Sequence, residues 1–100
     1  MRIEQVDENS FILHGKIKEI SDYRDLKTLL EKRKKENAVE VHFNIPQAKE
    51  ISSYILGYWL KLARKDGFKF HLYIINPYLY DNLLRFGFHT FFELKNGDRK

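Results

Sequence analysis

Two short runs with a period of two flank one longer run of helical period, and that arrangement restricts the chain more than any other feature. Val39, Val41 and Phe43 alternate with Glu40, His42 and Asn44, the pattern of a strand with one buried face. Phe68, Phe70, Leu72 and Ile74 repeat it over Phe68–Ile75. Between them lies Ile51–Asp66, ISSYILGYWLKLARKD, which opens on two serines and closes before Gly67. Stepping about 100° per residue gathers Ile51, Ile55, Tyr58, Trp59 and Leu62 on one core-facing arc, which predicts a helix. Strand, helix, strand in that order is a crossover unit, and such units pair their strands in parallel with a right-handed connection.

The remaining segments extend that unit in both directions. Arg2–Val6 and Phe11–Ile17 read as two strands joined through the polar turn Asp7-Glu8-Asn9-Ser10, hence a hairpin. Ser21 or Asp22 can cap a helix carrying Tyr23, Leu26, Leu29 and Leu30, with Arg33 laying its aliphatic stem along the end of the stripe and Asn37 ending it. Ile45–Glu50 is a loop. Asn76-Pro77 is a strong helix start, the amide side chain accepting at the N-cap and proline fitting the first helical position. Leu79, Leu83 and Phe86 form that helix's stripe, Gly87 suits its C′ position, Phe88–Leu94 follows as a last strand, and Asn96–Lys100 is expected to fray. The expected fold is α/β, one domain over 1–100, in the order β-β-α-β-α-β-α-β with a mixed, mainly parallel sheet. If every crossover steps the same way, the helices share one face with Phe11, Leu13, Val39, Val41, Phe43, Phe68, Phe70, Leu72 and Ile74. The other face holds Ile12, His14, Lys16, Glu40, His42, Lys69, His71 and Tyr73 and stays partly solvated.

Composition narrows the chemistry. The absence of cysteine removes disulfides, thiolate metal sites and thiol nucleophiles and suits a cytoplasmic setting. The start, MRIEQVDEN, lacks the apolar stretch of a secretory signal, and no apolar run is long enough to insert in a membrane. The formal charge of +4 owes much to Lys32–Lys35 and to Arg99–Lys100. Flanked by Glu31 and Glu36, the first run reads as a solvated helix face, not a nucleic-acid patch. The four histidines, His14, His42, His71 and His89, fall on expected strands without His-x-His or His-x3-His spacing, so side chains on a solvated sheet face are the expectation and no metal or cofactor is assigned. No glycine-rich phosphate loop and no nucleophile-elbow setting surround Ser52 or Ser53. The expectation is a non-enzyme.

The outer side of the helix at 51–66 leaves two readings. Leu56 and Leu60 lie well round from the core arc, beside Ser53, Gly57 and Arg64. They either pack on a neighbouring helix or form an apolar strip for a protein partner, rimmed by Lys61 and Arg64. Gly57 in mid-helix costs about 1 kcal/mol relative to alanine, a cost tolerable where another backbone comes close.

The order of elements, the serine pair at this helix start, FILHGKI ahead of the first helix and the ending NPYLYDNLLRFGFHTFFEL together resemble a STAS domain, the domain shared by sulphate transporters and bacterial anti-sigma factor antagonists. The resemblance covers nearly the whole chain. It implies a protein-binding role centred on Ser52, Ser53 and Tyr54 and on Leu56, Gly57, Leu60, Lys61 and Arg64. Ser53 matches the serine that a cognate kinase phosphorylates in anti-sigma factor antagonists, with Ser52 the adjacent candidate; simple helix capping by both serines is the competing reading. The family's Asp and Gly around the serine pair are Ile51 and Tyr54 here. ILGYWLKLAR over 55–64 is also similar to the small STAS subunit of bacterial phospholipid-trafficking ABC transporters, which binds the transporter ATPase without phosphorylation; Ser52 would hold the hydroxyl position of that branch. The implied partner is therefore an anti-sigma factor or related serine kinase, or an ABC transporter ATPase. Pairing of the open sheet face with a second copy to form a homodimer is left open.

Overall fold

A computed structural model describes residues 1–97 of the chain. Its strands are β1 (Arg2–Asp7), β2 (Ser10–His14), β3 (Glu40–Ile45), β4 (Lys69–Ile74) and β5 (Glu93–Asn96). Its α-helices are α1 (Ile20–Lys35), α2 (Ser53–Lys65) and α3 (Pro77–Arg85). The five strands form one sheet in the order β1-β2-β3-β4-β5. β1 and β2 pair antiparallel as the expected hairpin, and every later pair is parallel. Three parallel steps in one direction, with the right-handed connection that such units adopt, put the three helices on the same side, and Leu26, Leu30, Ile55, Trp59, Leu79 and Leu83 of the helices share one core with the strands.

The burial pattern of the strands follows from this. Phe11, Leu13, Val41, Phe43, Ile45, Phe70, Leu72 and Ile74 are buried beneath the helices, while Ile12, His14, His42, Asn44 and His71 on the other face are half-buried. Trp59 fills the centre of the core, with ring centroids 5.2 Å from Phe43 and 5.6 Å from Phe70. An indole this size, fully enclosed, is what locks α2 onto β3 and β4.

Several local expectations are corrected. The first helix is capped by neither Ser21 nor Asp22; Glu19 is the N-cap, and Asp22 Oδ2 accepts from the backbone N–H groups of Lys18 and Glu19. A carboxylate three residues into the helix reaches back to the cap more easily than it could cap itself. Arg33 does more than cover the end of a stripe. It is buried, its guanidinium donates to the carbonyls of Glu8 and Glu40 and to Asn9 Oδ1, and it lies 5.4 Å from the Phe11 ring centroid.

The last strand is shorter and later than Phe88–Leu94. Gly87 takes φ 82°, the left-handed turn expected of it, but the chain then winds one 3-10 turn over Phe88–Thr90 before β5. That turn seats Phe88 and Phe92 in a stacked pair 5.7 Å apart, an apolar gain that extended backbone would forgo. Phe86 is consequently 74% exposed and leaves the stripe of α3, which Leu79 and Leu83 carry alone. Asn96, expected to fray, ends β5 with its side chain donating to the Ile74 carbonyl, and the Gly97 N–H donates to the same carbonyl; the rest of that expectation, Asp98–Lys100, lies outside the described residues.

Candidate functional site

The approach to α2 is fixed before the helix begins. Ile51 forms a parallel bridge to Ile17, and the Ser52 N–H donates to the Ile17 carbonyl at 3.2 Å. The position where the resembled family has an acidic residue is thus occupied by a buried isoleucine that ties the loop to the chain after β2. Ser52 is the N-cap residue, yet its hydroxyl makes no capping bond and is buried without a hydrogen-bond partner. Capping by both serines is therefore overturned. The backbone carbonyl of Ser52 still accepts from the N–H groups of Ile55 and Leu56, so the helix starts here on main-chain bonds.

Ser53 is exposed on the first turn, and that turn carries no acidic residue. The leading N–H groups of a helix have no acceptor within it, which favours an anion at this end. Tyr54 beside it is partly accounted for within the chain: its ring meets Tyr23 edge-on at 5.8 Å and its hydroxyl donates to the Lys18 carbonyl. Tyr23 also meets Tyr58 edge-on at 5.5 Å. Tyr58 sits between helices, half-buried, and burial with the nearby Glu31, Tyr23 and Asp66 pushes its phenol up to about 12.

Along the outside of α2 the expected surface divides. Leu56 is buried, 8% exposed, and belongs to the core cluster; it is removed from the candidate contact residues. Leu60 is half-buried and packs against the same cluster, so packing accounts for most of both leucines. Gly57, Leu60, Lys61 and Arg64, with Lys65, line one shallow depression. Ser53 precedes Gly57 by one helical turn and so shares its side of the helix. Gly57 is exposed, and a Cβ built on it would meet nothing within 4 Å. Among the described residues, nothing outside its own helical turn approaches this position closely.

The open sheet face, where solvated side chains are expected, holds a second constellation. Register places His42 opposite His71 and His71 opposite Glu93. The two imidazoles stack at 4.1 Å with an interplanar angle of 11°. His71 Nε2 lies 2.9 Å from Glu40 Oε2 and its Nδ1 lies 2.5 Å from Glu93 Oε2. His42 Nδ1 lies 2.8 Å from the Tyr73 hydroxyl, with Nε2 4.0 Å from Glu40 Oε2. Both histidine side chains are about five-sixths enclosed, at 13% and 15% exposure. His14 is engaged elsewhere, 2.8 Å from Glu4, and His89 is exposed on the 3-10 turn and not on a strand. Alternation alone puts His42 and His71 on one face, but only the β3–β4 and β4–β5 registers bring them together with Glu40 and Glu93.

Comparison with models of known protein families, with curated proteins and with solved structures finds no match to this chain. Among the described residues no helix is long and apolar enough to cross a membrane.

Proposed function

We propose that this chain is a cytoplasmic, non-enzymatic STAS-type domain that binds an acidic protein surface through the first turn and outer strip of α2. The observation that carries this reading is Gly57. A mid-helix glycine costs about 1 kcal/mol against alanine, and no neighbour among the described residues requires one there. A partner backbone lying against the helix would. Lys61, Arg64 and Lys65 rim the same depression, so the complementary surface is acidic, and rim charges of this kind act mainly on association rate and partner choice.

Ser53, one turn above Gly57, is the regulatory position in this reading. Phosphorylation adds about −1.5 to −2 charge; the free N–H groups of the α2 start accommodate it, and an acidic partner is repelled by it. The partner is then an anti-sigma factor or related serine kinase. A second reading is favoured by one observation: the helix start has a buried Ile51 and no carboxylate, which removes a feature of the kinase-recognised loop. In that case the domain binds constitutively, as the STAS subunit of an ABC transporter binds its ATPase.

The test pairs affinity purification from the native cells with exchange of the exposed charges. Arg64→Glu and Lys61→Glu should each slow association and reduce capture of the partner while the thermal midpoint stays within a few degrees. Capture unchanged by both would refute the surface. Ser53→Asp weakening the complex more than Ser53→Ala supports the switch, whereas equal capture by the two supports the constitutive binder.

A further inference from the structure

We infer that the groove between α1 and α2 seats an acidic amphipathic helix of a protein partner, with its carboxylates on the lysines of both walls and an apolar side chain against Tyr58. The groove extends the surface of the proposed function, on which this rests, because Lys61 and Lys65 line both it and the depression beside Gly57. Successive right-handed crossovers set α1 and α2 side by side and parallel. The α1 wall holds Lys27, Glu31, Lys34 and Lys35, and the α2 wall holds Tyr58, Lys61, Lys65 and the C-cap Asp66. Lys27 to Lys35 and Tyr58 to Asp66 are each eight steps along the chain, about 12 Å of helix axis at about 1.5 Å per residue. The walls thus match in length, about two turns of a helical occupant. A volume of about 620 Å3 is far more than one phosphate or carboxylate fills.

Charge makes the occupant acidic. Five lysines and two carboxylates line the groove, a net +3 where the whole chain carries +4. Lys34 is neutralised by Asp66 at 3.0 Å. Among the described residues, Lys27, Lys35, Lys61 and Lys65 have no carboxylate within 4.0 Å. A helix dipole favours cations in the last turn only, and this accounts for Lys34, Lys35 and Lys65. Lys27 and Lys61 stand further back, where the dipole gives them no role. They extend each row of charge along the groove, Lys27 two turns before Lys35 and Lys61 one turn before Lys65. Carboxylates at i, i+4 and i+8 on one face of a helix meet both rows at matching heights.

The lining separates a peptide helix from a nucleic acid. Leu30 and Leu62 are buried at the floor, and Tyr58 rises half-buried between the helices. The Tyr58 hydroxyl has no hydrogen bond among the described residues. With its phenol pushed up to about 12 by burial and nearby Glu31, it stays protonated and is a donor for a carboxylate. An aromatic body with a polar tip, rimmed by charge, is the anatomy of a protein interface. Glu31 decides against a duplex. It stands one turn from both Lys27 and Lys35, and a duplex, with one phosphate charge per about 1.7 Å of axis, must bring charge against it. A peptide helix avoids this by placing an amide or a lysine at that height.

The nitrogen-15-labelled full chain is titrated with a synthetic peptide of about fifteen residues, a leucine stripe bordered on both sides by glutamates. Amide signals over 27–35 and 58–66 should shift saturably, and the peptide should gain helicity by circular dichroism. Lys27→Glu and Lys35→Glu, which keep the fold because both side chains are exposed, should each weaken binding by about 3–10-fold. Lys95→Glu, on the open sheet face opposite Tyr73, should bind like the parent protein. Shifts absent from the groove, equal shifts with a lysine-for-glutamate peptide, or tighter binding of a DNA duplex at the same salt would overturn the acidic helix. Capture from native cells separates the groove from the strip, because Lys27 and Lys35 lie outside the strip and Arg64 lies outside the groove. Capture reduced by Arg64→Glu alone overturns the groove and leaves the strip standing. Peptide shifts in the groove, with capture reduced by Lys27→Glu and Lys35→Glu but unchanged in Arg64→Glu, support the groove and remove the strip.

Discussion

Replacement of Gly57 by alanine separates what α2 needs for folding from what it offers to a partner. The residue is the fifth of thirteen in the helix, exposed, with nothing within 4 Å of the position a Cβ would take. The added methyl therefore meets no clash and gains little burial. What remains is backbone entropy: glycine surrenders more freedom on folding than alanine, and the difference in a helix interior is about 0.8–1.0 kcal/mol. Gly57→Ala should be more stable by about 1 kcal/mol, a rise of about 4–8 °C in thermal midpoint for a domain of this size. Urea unfolding should show a higher midpoint with an unchanged slope, because the surface exposed on unfolding hardly alters. A midpoint that falls would mean that some part of the chain lies against this helix face, and the argument from an unneeded glycine would collapse. Under the proposed function the same variant captures less partner despite its greater stability. Equal capture would leave the stability argument intact and remove Gly57 from the contact.

Arg33→Ala removes three charge-assisted hydrogen bonds to acceptors on the β1–β2 turn and the start of β3 and should cost about 2–4 kcal/mol in urea unfolding; a loss below about 1 kcal/mol would show that water replaces the guanidinium freely. Asp22 gives an acid limit to stability. Burial pushes its carboxyl up, but hydrogen bonds from the N–H groups of Glu19 and Lys18 and the nearby N-terminal ammonium outweigh this, and the net value is below the usual carboxylate range. With the folded value depressed, its contribution is fully present above the unfolded value of about 3.9 and is lost as pH falls through the folded value. Asp22→Asn should flatten the part of the stability profile below about pH 4, and an unchanged slope there would contradict the assignment.

The fold was legible because it is written in short-range periodicity. The alternation at 39–44 and 68–75 and the helical spacing of 51–66 each concern residues a few positions apart, and together they dictate a parallel, one-sided layer. Asn76-Pro77 and Gly87 were readable for the same reason, since capping and left-handed φ are local properties. The misses are those in which a distant partner chose between two local options. Phe88 could continue a strand or turn inward, and the stacked contact with Phe92 favours the 3-10 turn. Leu56 could face outward by its helical angle, yet the core cluster takes it.

The same distinction separates the α2 strip from the open-face cluster. The α2 strip belongs to one helix, so Ser53, Gly57, Lys61 and Arg64 could be grouped from spacing alone. The open-face cluster draws on three strands separated by two crossovers. Its alignment depends on the register in which Glu40 meets Lys69 and His71 meets Glu93. A shift of one residue in β4 would turn His71 into the core and dissolve the cluster. That shift is prohibited by Phe70 and Leu72, which would be expelled from beneath Trp59 at the same time. Core packing on one side of the sheet thus fixes the positions of ionisable groups on the other. This is why spacing rules within one element gave no sign that His42 and His71 stack.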